Sequence, residues 1–208
     1  MTVEPVRPTP FADMLATAGV REVCQLDGPI GLMAYHGGSL EEQTDVIAAE
    51  VARRTGASYY AVLQPPDLNW HIPSHHFVSD QSPTLARFLE HVETTVTIHG
   101  FGRRGFFTSL LLGGRNREFA EHIGTHLRIV LPAYEIISDL AQIPKELRGQ
   151  DLRNPVNVPK HAGVQIELPP RVRGTSPMWA DWEGPGLAPH TQRLIDGLVE
   201  AVQTWSWS

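Results

Sequence analysis

Apolar residues run almost unbroken from Pro29 to Tyr35 and stop at His36-Gly37-Gly38. A short continuous run closed by two glycines predicts a buried strand that ends in a tight turn. The pattern then changes period. Leu40, Ile47, Ala48 and Val51 recur at helical spacing, which predicts a helix from Ser39 to about Arg54. Ser39 and Glu42 fit the S-x-x-E capping box, and Gly56 suits the residue past the helix end. Further strands are expected at Ser58–Leu63, Thr94–Ile98, Leu110–Leu112, Tyr134–Ile137 and Val164–Leu168. Helices are expected at Leu85–Val92, Arg117 to about Ile129 and Thr191–Trp205, with a helical turn at Pro144–Arg148. Strands alternating with helices imply an α/β fold: one mixed, mostly parallel sheet flanked by helices. Residues 1–18, with three prolines in the first ten, read as an N-terminal arm, and 19–208 as one domain.

Composition narrows the function. A chain of 208 residues, 41% hydrophobic and 19% charged, is ordinary for a globular protein. The formal charge of −6 without a basic run disfavours nucleic acid as a partner. No apolar stretch nears the roughly 20 residues of a membrane span, and the start lacks a leader-like apolar region, so a cytoplasmic protein is expected. The single cysteine, Cys24, reads as a small core residue.

Candidate chemistry comes from the strand ends. Ligands of open α/β sheets gather beyond the C-terminal ends of strands, and His36 and His99 each follow an expected strand. With Glu42 assigned to the capping box, Glu41 is free to turn back toward His36. A catalytic zinc takes three protein ligands and keeps a position for water, and His36, Glu41 and His99 would supply three. The competing reading is two loop histidines held by structural hydrogen bonds. On Val164–Leu168 the alternation puts Gln165 and Glu167 together on one face, either into a cleft or out to solvent. His91, His122, His126 and His190 lie in expected helices without a partner pattern and read as surface or semi-buried residues.

Five blocks in order carry a resemblance: MAYHGGSLEEQTDVIA, WHIPSHHF, TVTIHGF, SLLLGGRN and NPVNVPKHAGVQIEL. The chain resembles the phage-type poly-γ-glutamate hydrolases over about Pro29 to Arg173. That resemblance implies a zinc-carboxypeptidase-like single domain, one zinc on His36, Glu41 and His99, and Glu167 as the catalytic glutamate. It implies a γ-glutamyl polymer or related amide as substrate, met by His76, Asn154, Asn157 and Arg115. Arg103, in a basic and aromatic stretch after His99, is the candidate for the oxyanion or a substrate carboxylate, against a plain surface arginine. His71 and Ser74 are possible helpers, and His75 could take the place of His76. The expected reaction is hydrolysis by metal-activated water with Glu167 as general base. A deacylase or carboxypeptidase acting on a small molecule, and a non-catalytic binding protein, are the other readings. An open groove would suit a polymer and a closed pocket a small substrate. The oligomeric state is left open.

Overall fold

A computed structural model describes residues 10–179, 182–184 and 186–207. The β-branched and aromatic runs form a seven-stranded sheet: β1 (Arg21–Gln25), β2 (Gly28–Gly38), β3 (Ala57–Gln64), β4 (Thr94–Gly100), β5 (Ser109–Leu112), β6 (Glu135–Ile137) and β7 (Gly163–Leu168). The spatial order is β1-β3-β2-β4-β7-β5-β6. Strands β2 to β3, β2 to β4, β4 to β7 and β5 to β6 pair in parallel; β1 to β3 and β5 to β7 pair antiparallel. The helices are α1 (Pro10–Ala16), α2 (Thr44–Thr55), α3 (Pro83–His91), α4 (Arg117–Val130), α5 (Pro170–Arg173) and α6 (Pro189–Thr204). This is the mixed, mostly parallel, helix-flanked sheet that the alternating pattern implies.

The chain crosses from β2 to β3 on one side and then returns to β4 on the other side of β2. Right-handed crossovers in opposite directions put their helices on opposite faces, so the C-terminal ends of β2 and β4 flank an uncovered crevice. Alternation along each strand separates two cores. Leu32, Ala34, Val96, Ile98, Val164 and Ile166 pack against α2, α4, α5 and α6. On the other face Met33, Tyr35, Tyr60 and Val62 pack against Phe11 and Met14 of α1 and Leu85, Phe88 and Leu89 of α3. That second face turns polar toward the middle of the sheet. Register places Thr97 beside Met33, Gln165 beside Thr97 and Glu167 beside His99. Thr97, Gln165, His99 and Glu167 are all buried there, and Gln165 donates to Glu167.

Three expectations change. Helix α2 begins at Thr44, and Gln43 at its start has φ of 72° with no side-chain cap. The Ser39 hydroxyl donates instead to Pro65 O at 2.6 Å, so Ser39 ties two loops together and caps nothing. Leu40 therefore lies outside the helix. Of the expected arm, residues 1–9 lie outside the described residues, while Pro10–Ala16 is a helix whose Phe11 and Met14 are fully buried. Strand β1 is an additional, half-buried edge strand whose sequence REVCQ carries little alternation.

Gly38 ends β2 at φ of 72°, and a Cβ there would fall 2.3 Å from Gln64 O. Gly38→Ala is expected to destabilise the protein by about 1–3 kcal/mol from the left-handed backbone alone, with the overlap adding to it. Urea unfolding of the variant reads this directly; an unchanged midpoint would show that the turn relaxes freely.

Candidate metal and amide-hydrolysis site

His36 and His99 close β2 and β4 as neighbours, with ring centroids 4.9 Å apart. Between them comes Glu41, carried by the turn that follows Gly38. The turn is held by Glu41 N–H donating to His36 O (3.0 Å) and by the Thr44 hydroxyl donating to Glu41 O (2.7 Å). One carboxylate oxygen, Oε1, is 2.9 Å from His36 Nδ1. The other, Oε2, is 3.2 Å from His99 Nδ1 and accepts the Gly100 N–H at 2.9 Å. One nitrogen from each ring and a carboxylate oxygen lie within 4.8 Å of one another, so the three residues form a group that could hold a metal ion.

Hydrogen-bond roles support that fit. His36 Nε2 is 2.8 Å from Ile72 O. A carbonyl can only accept, so Nε2 carries the proton. A neutral His36 then turns the Nδ1 lone pair toward the Glu41 carboxylate, which is also electron-rich. Such a contact holds only with a further proton or a cation between the two. Two imidazole nitrogens and one carboxylate are the donor set of an open zinc site, and the carbonyl behind His36 fixes the tautomer such a ligand needs. Burial disfavours a charge on Glu41, but the His36 and His99 rings outweigh it and hold the carboxyl well below the usual range.

Glu167 sits beside His99 across the β4–β7 ladder and is 4% exposed. Burial pushes its carboxyl up to about 7; His99 pulls against this, Glu41 adds to it, and Gln165 and Arg173 oppose it. The cleft reading of this strand face is therefore the one realised. Glu41 and Glu167 open on one cavity of about 900 Å3, lined also by His71, Ser74, His75, Phe101, Lys145 and Arg148.

The remaining expected residues divide. Asn154 lines the cavity and is buried, accepting from Tyr35 and donating to Gln165. Asn157 braces a loop: its amide donates to Gly149 O and Asp151 O, and its oxygen accepts the Arg115 N–H. His75 lines the cavity, whereas His76 does not. Arg103 is not among the lining residues; it forms an exposed ion pair with Glu146 at 2.6 Å, and Glu146 does line the cavity. Arg115 lines a different cleft, at the start of α4 with His161, Trp205 and Trp207. The buried guanidinium near the site belongs to Arg173, which sequence reading missed. Its Nη1 donates to Glu42 O (2.6 Å) and its Nε to Leu168 O (3.2 Å). A Cβ on Gly100 would lie 2.8 Å from its Cζ. Arg173 thus ties the Glu41 turn to the ends of β4 and β7. The available signal was Pro169-Pro170 after β7, which returns the chain beneath the strand ends.

The fold and the His36, Glu41 and His99 group define a single-domain α/β protein with a candidate metal centre. The chain belongs to the poly-gamma-glutamate hydrolase family, which it matches over residues 18–186, and it is by that membership an amide-bond hydrolase. The bacteriophage poly-gamma-glutamate hydrolase structure is similar with a TM-score of 0.73 and 21% identity, over 89% of each chain. Zinc-free YNDL is similar with a TM-score of 0.71 and 18% identity, over 89% of this chain and 90% of that one. A putative carboxypeptidase from Burkholderia mallei shares the fold at a TM-score of 0.53 and 9% identity, over 94% of this chain and 67% of that one. No curated protein matches in sequence. No helix among the described residues is long and apolar enough to cross a membrane.

Proposed function

We propose that this protein is a zinc-dependent hydrolase of γ-glutamyl amide bonds in a poly-γ-glutamate-like chain. The observation that carries this is a buried carboxyl raised to about 7, Glu167, lining the same cavity as Glu41, which sits between His36 and His99 in the donor group. Family membership and the zinc-free form recorded for one structural neighbour support it. When bound, zinc supplies Lewis acidity toward the amide carbonyl and a water of lowered pKa.

The chain's own residues do the rest. Glu167 accepts a proton from the attacking water and returns it to the departing amine nitrogen, and a carboxyl near neutral pKa can do both. His36 and His99 present Nδ1, with the Ile72 carbonyl orienting His36. Lys145 and Arg148 line the cavity and meet substrate carboxylates; Arg103 holds Glu146 at its edge. Asn154 orients the groups around Glu167, and His75 contacts substrate where His76 was expected to. A cavity of about 900 Å3 lies at the upper end for ligand sites, which favours a polymer segment over a single small amide.

The test is zinc content by elemental analysis together with chain scission of γ-linked and α-linked polyglutamate. About one zinc per chain and scission of the γ-linked polymer alone are expected. Scission of only the α-linked polymer would overturn the substrate class, and full activity after exhaustive chelation would overturn the zinc dependence.

A further inference from the structure

Four buried side chains form one line across the polar half of the sheet. Tyr35 Oη donates to Asn154 Oδ1 at 2.8 Å. Asn154 Nδ2 donates to Gln165 Oε1 at 2.8 Å. Gln165 Nε2 donates to Glu167 Oε1 at 2.8 Å. None of the four is more than 4% exposed. The line spans β2, the loop before β7, and β7 itself, and it ends on the carboxyl that carries the proton.

Its direction is fixed at both amides by partners outside the line. Asn154 Oδ1 also accepts the Val156 N–H at 3.3 Å, so a flipped Asn154 would set an NH2 against an N–H. Gln165 Nε2 also faces Leu147 O at 3.4 Å, so a flipped Gln165 would set two carbonyl oxygens together. A buried amide group left without its partner is costly, and reversing the line would demand two flips at once. Gln165 therefore presents a donor to Glu167 Oε1 whether or not Glu167 holds a proton. An oxygen facing a fixed N–H donor is the poorer place for a hydrogen, so the proton is left to the other oxygen, Oε2.

We propose that Tyr35, Asn154 and Gln165 are positioning residues whose one-way hydrogen-bond chain confines the transferred proton to Oε2 of Glu167. This rests on the reading of Glu167 as the proton carrier. In the step itself, one water proton moves to Oε2 as the water oxygen bonds to the amide carbon. The C–N bond then breaks with its electron pair going to nitrogen, and nitrogen takes the proton from Oε2. Nothing else is consumed. With Oε1 held, the carboxyl does not rotate between the two transfers, and one oxygen serves both. The chain also accounts for four polar side chains in a region where apolar ones would otherwise pack without cost.

The experiment measures kcat, KM and zinc content of the zinc-loaded protein on poly-γ-glutamate for Gln165→Met and Tyr35→Phe, each made alone and in a Glu167→Gln background. Gln165→Met keeps the shape and removes the donor; Tyr35→Phe keeps the ring and removes only the far hydroxyl. Gln165→Met is expected to lower kcat about 10- to 100-fold, and Tyr35→Phe less, with KM and zinc content within twofold of wild type. In the Glu167→Gln background neither change should lower the residual rate further, because both act through the same carboxyl. A purely structural role predicts the opposite: zinc content falls along with the rate, and the loss is equal in both backgrounds. Wild-type kcat in both single variants, or an undiminished loss in the Glu167→Gln background, would overturn the chain while leaving Glu167 as proton carrier. Full turnover in Glu167→Gln alone would overturn that carrier role, and the chain with it. If Gln165→Met does not fold, Tyr35→Phe decides the matter by the same criteria.

Discussion

Glu167→Gln is expected to lower turnover about 100- to 10,000-fold while leaving zinc content unchanged, because a carboxamide accepts no proton at the reaction pH. The three ligand residues are untouched, and the glutamine oxygen still accepts from Gln165 Nε2, so the site keeps its shape. The same substitution should stabilise the metal-free protein at alkaline pH. Burial raises the folded Glu167 carboxyl to about 7 from 4.5, so between those values the folded state binds more protons than the unfolded one. The wild type therefore loses stability as pH rises through that window, on the order of 3 kcal/mol by the time it is passed. A neutral glutamine escapes that loss. Thermal unfolding of both metal-free proteins at pH 4.5 and pH 8 should show a gap in favour of the variant that opens at the higher pH. Higher stability with lost turnover is hard to produce by general damage. Retained turnover would remove the catalytic assignment, and a pH-independent gap would remove the buried-acid account.

The second large effect concerns the metal. His36→Ala or His99→Ala should cost bound zinc and activity together, since each removes one of three donors and leaves Glu41 with a single imidazole. Ligand binding to the folded state alone stabilises by RT ln(1 + [L]/Kd), about 4 kcal/mol at a thousandfold excess over Kd. For a chain of this size each kcal/mol shifts Tm by about 2–4 °C. A chelator should therefore lower the wild-type Tm by roughly 10 °C and leave that of either variant unmoved. Close to one equivalent of zinc in both variants would withdraw the ligand assignment.

The Ser39 capping box shows where local pattern misleads. Its spacing is correct for a cap, yet the hydroxyl finds Pro65 O across the turn, and the helix starts only at Thr44. Glu41 still reaches His36, but as part of a turn and not as a free residue within a helix. Arg103 is a related case, an exposed partner of Glu146 that is not among the residues lining the cavity. Sequence nearness to His99 favoured Arg103, whereas Arg173 lies beside Gly100 only because β4 and β7 are adjacent. His75 and His76 are indistinguishable in sequence, and only the short 3-10 turn at Ser74–His76 decides which lines the cavity.

What the sequence determined by itself was everything set by local period. That covers the major strands and helices after residue 57, the glycine turn that ends β2, the two histidines at strand ends, and the alternation that sends Gln165 and Glu167 to one face. Covalent geometry imposes those patterns residue by residue, so they can be read without knowing the neighbours. The tertiary structure alone decided strand order, and with it which polar side chains meet. Tyr35, Asn154, Gln165 and Glu167 are spread over 133 residues of chain. They share one hydrogen-bonded line because β2, β4 and β7 lie side by side in register. Pairing of distant strands is chosen by the burial of whole faces, and no local stretch of sequence carries that choice.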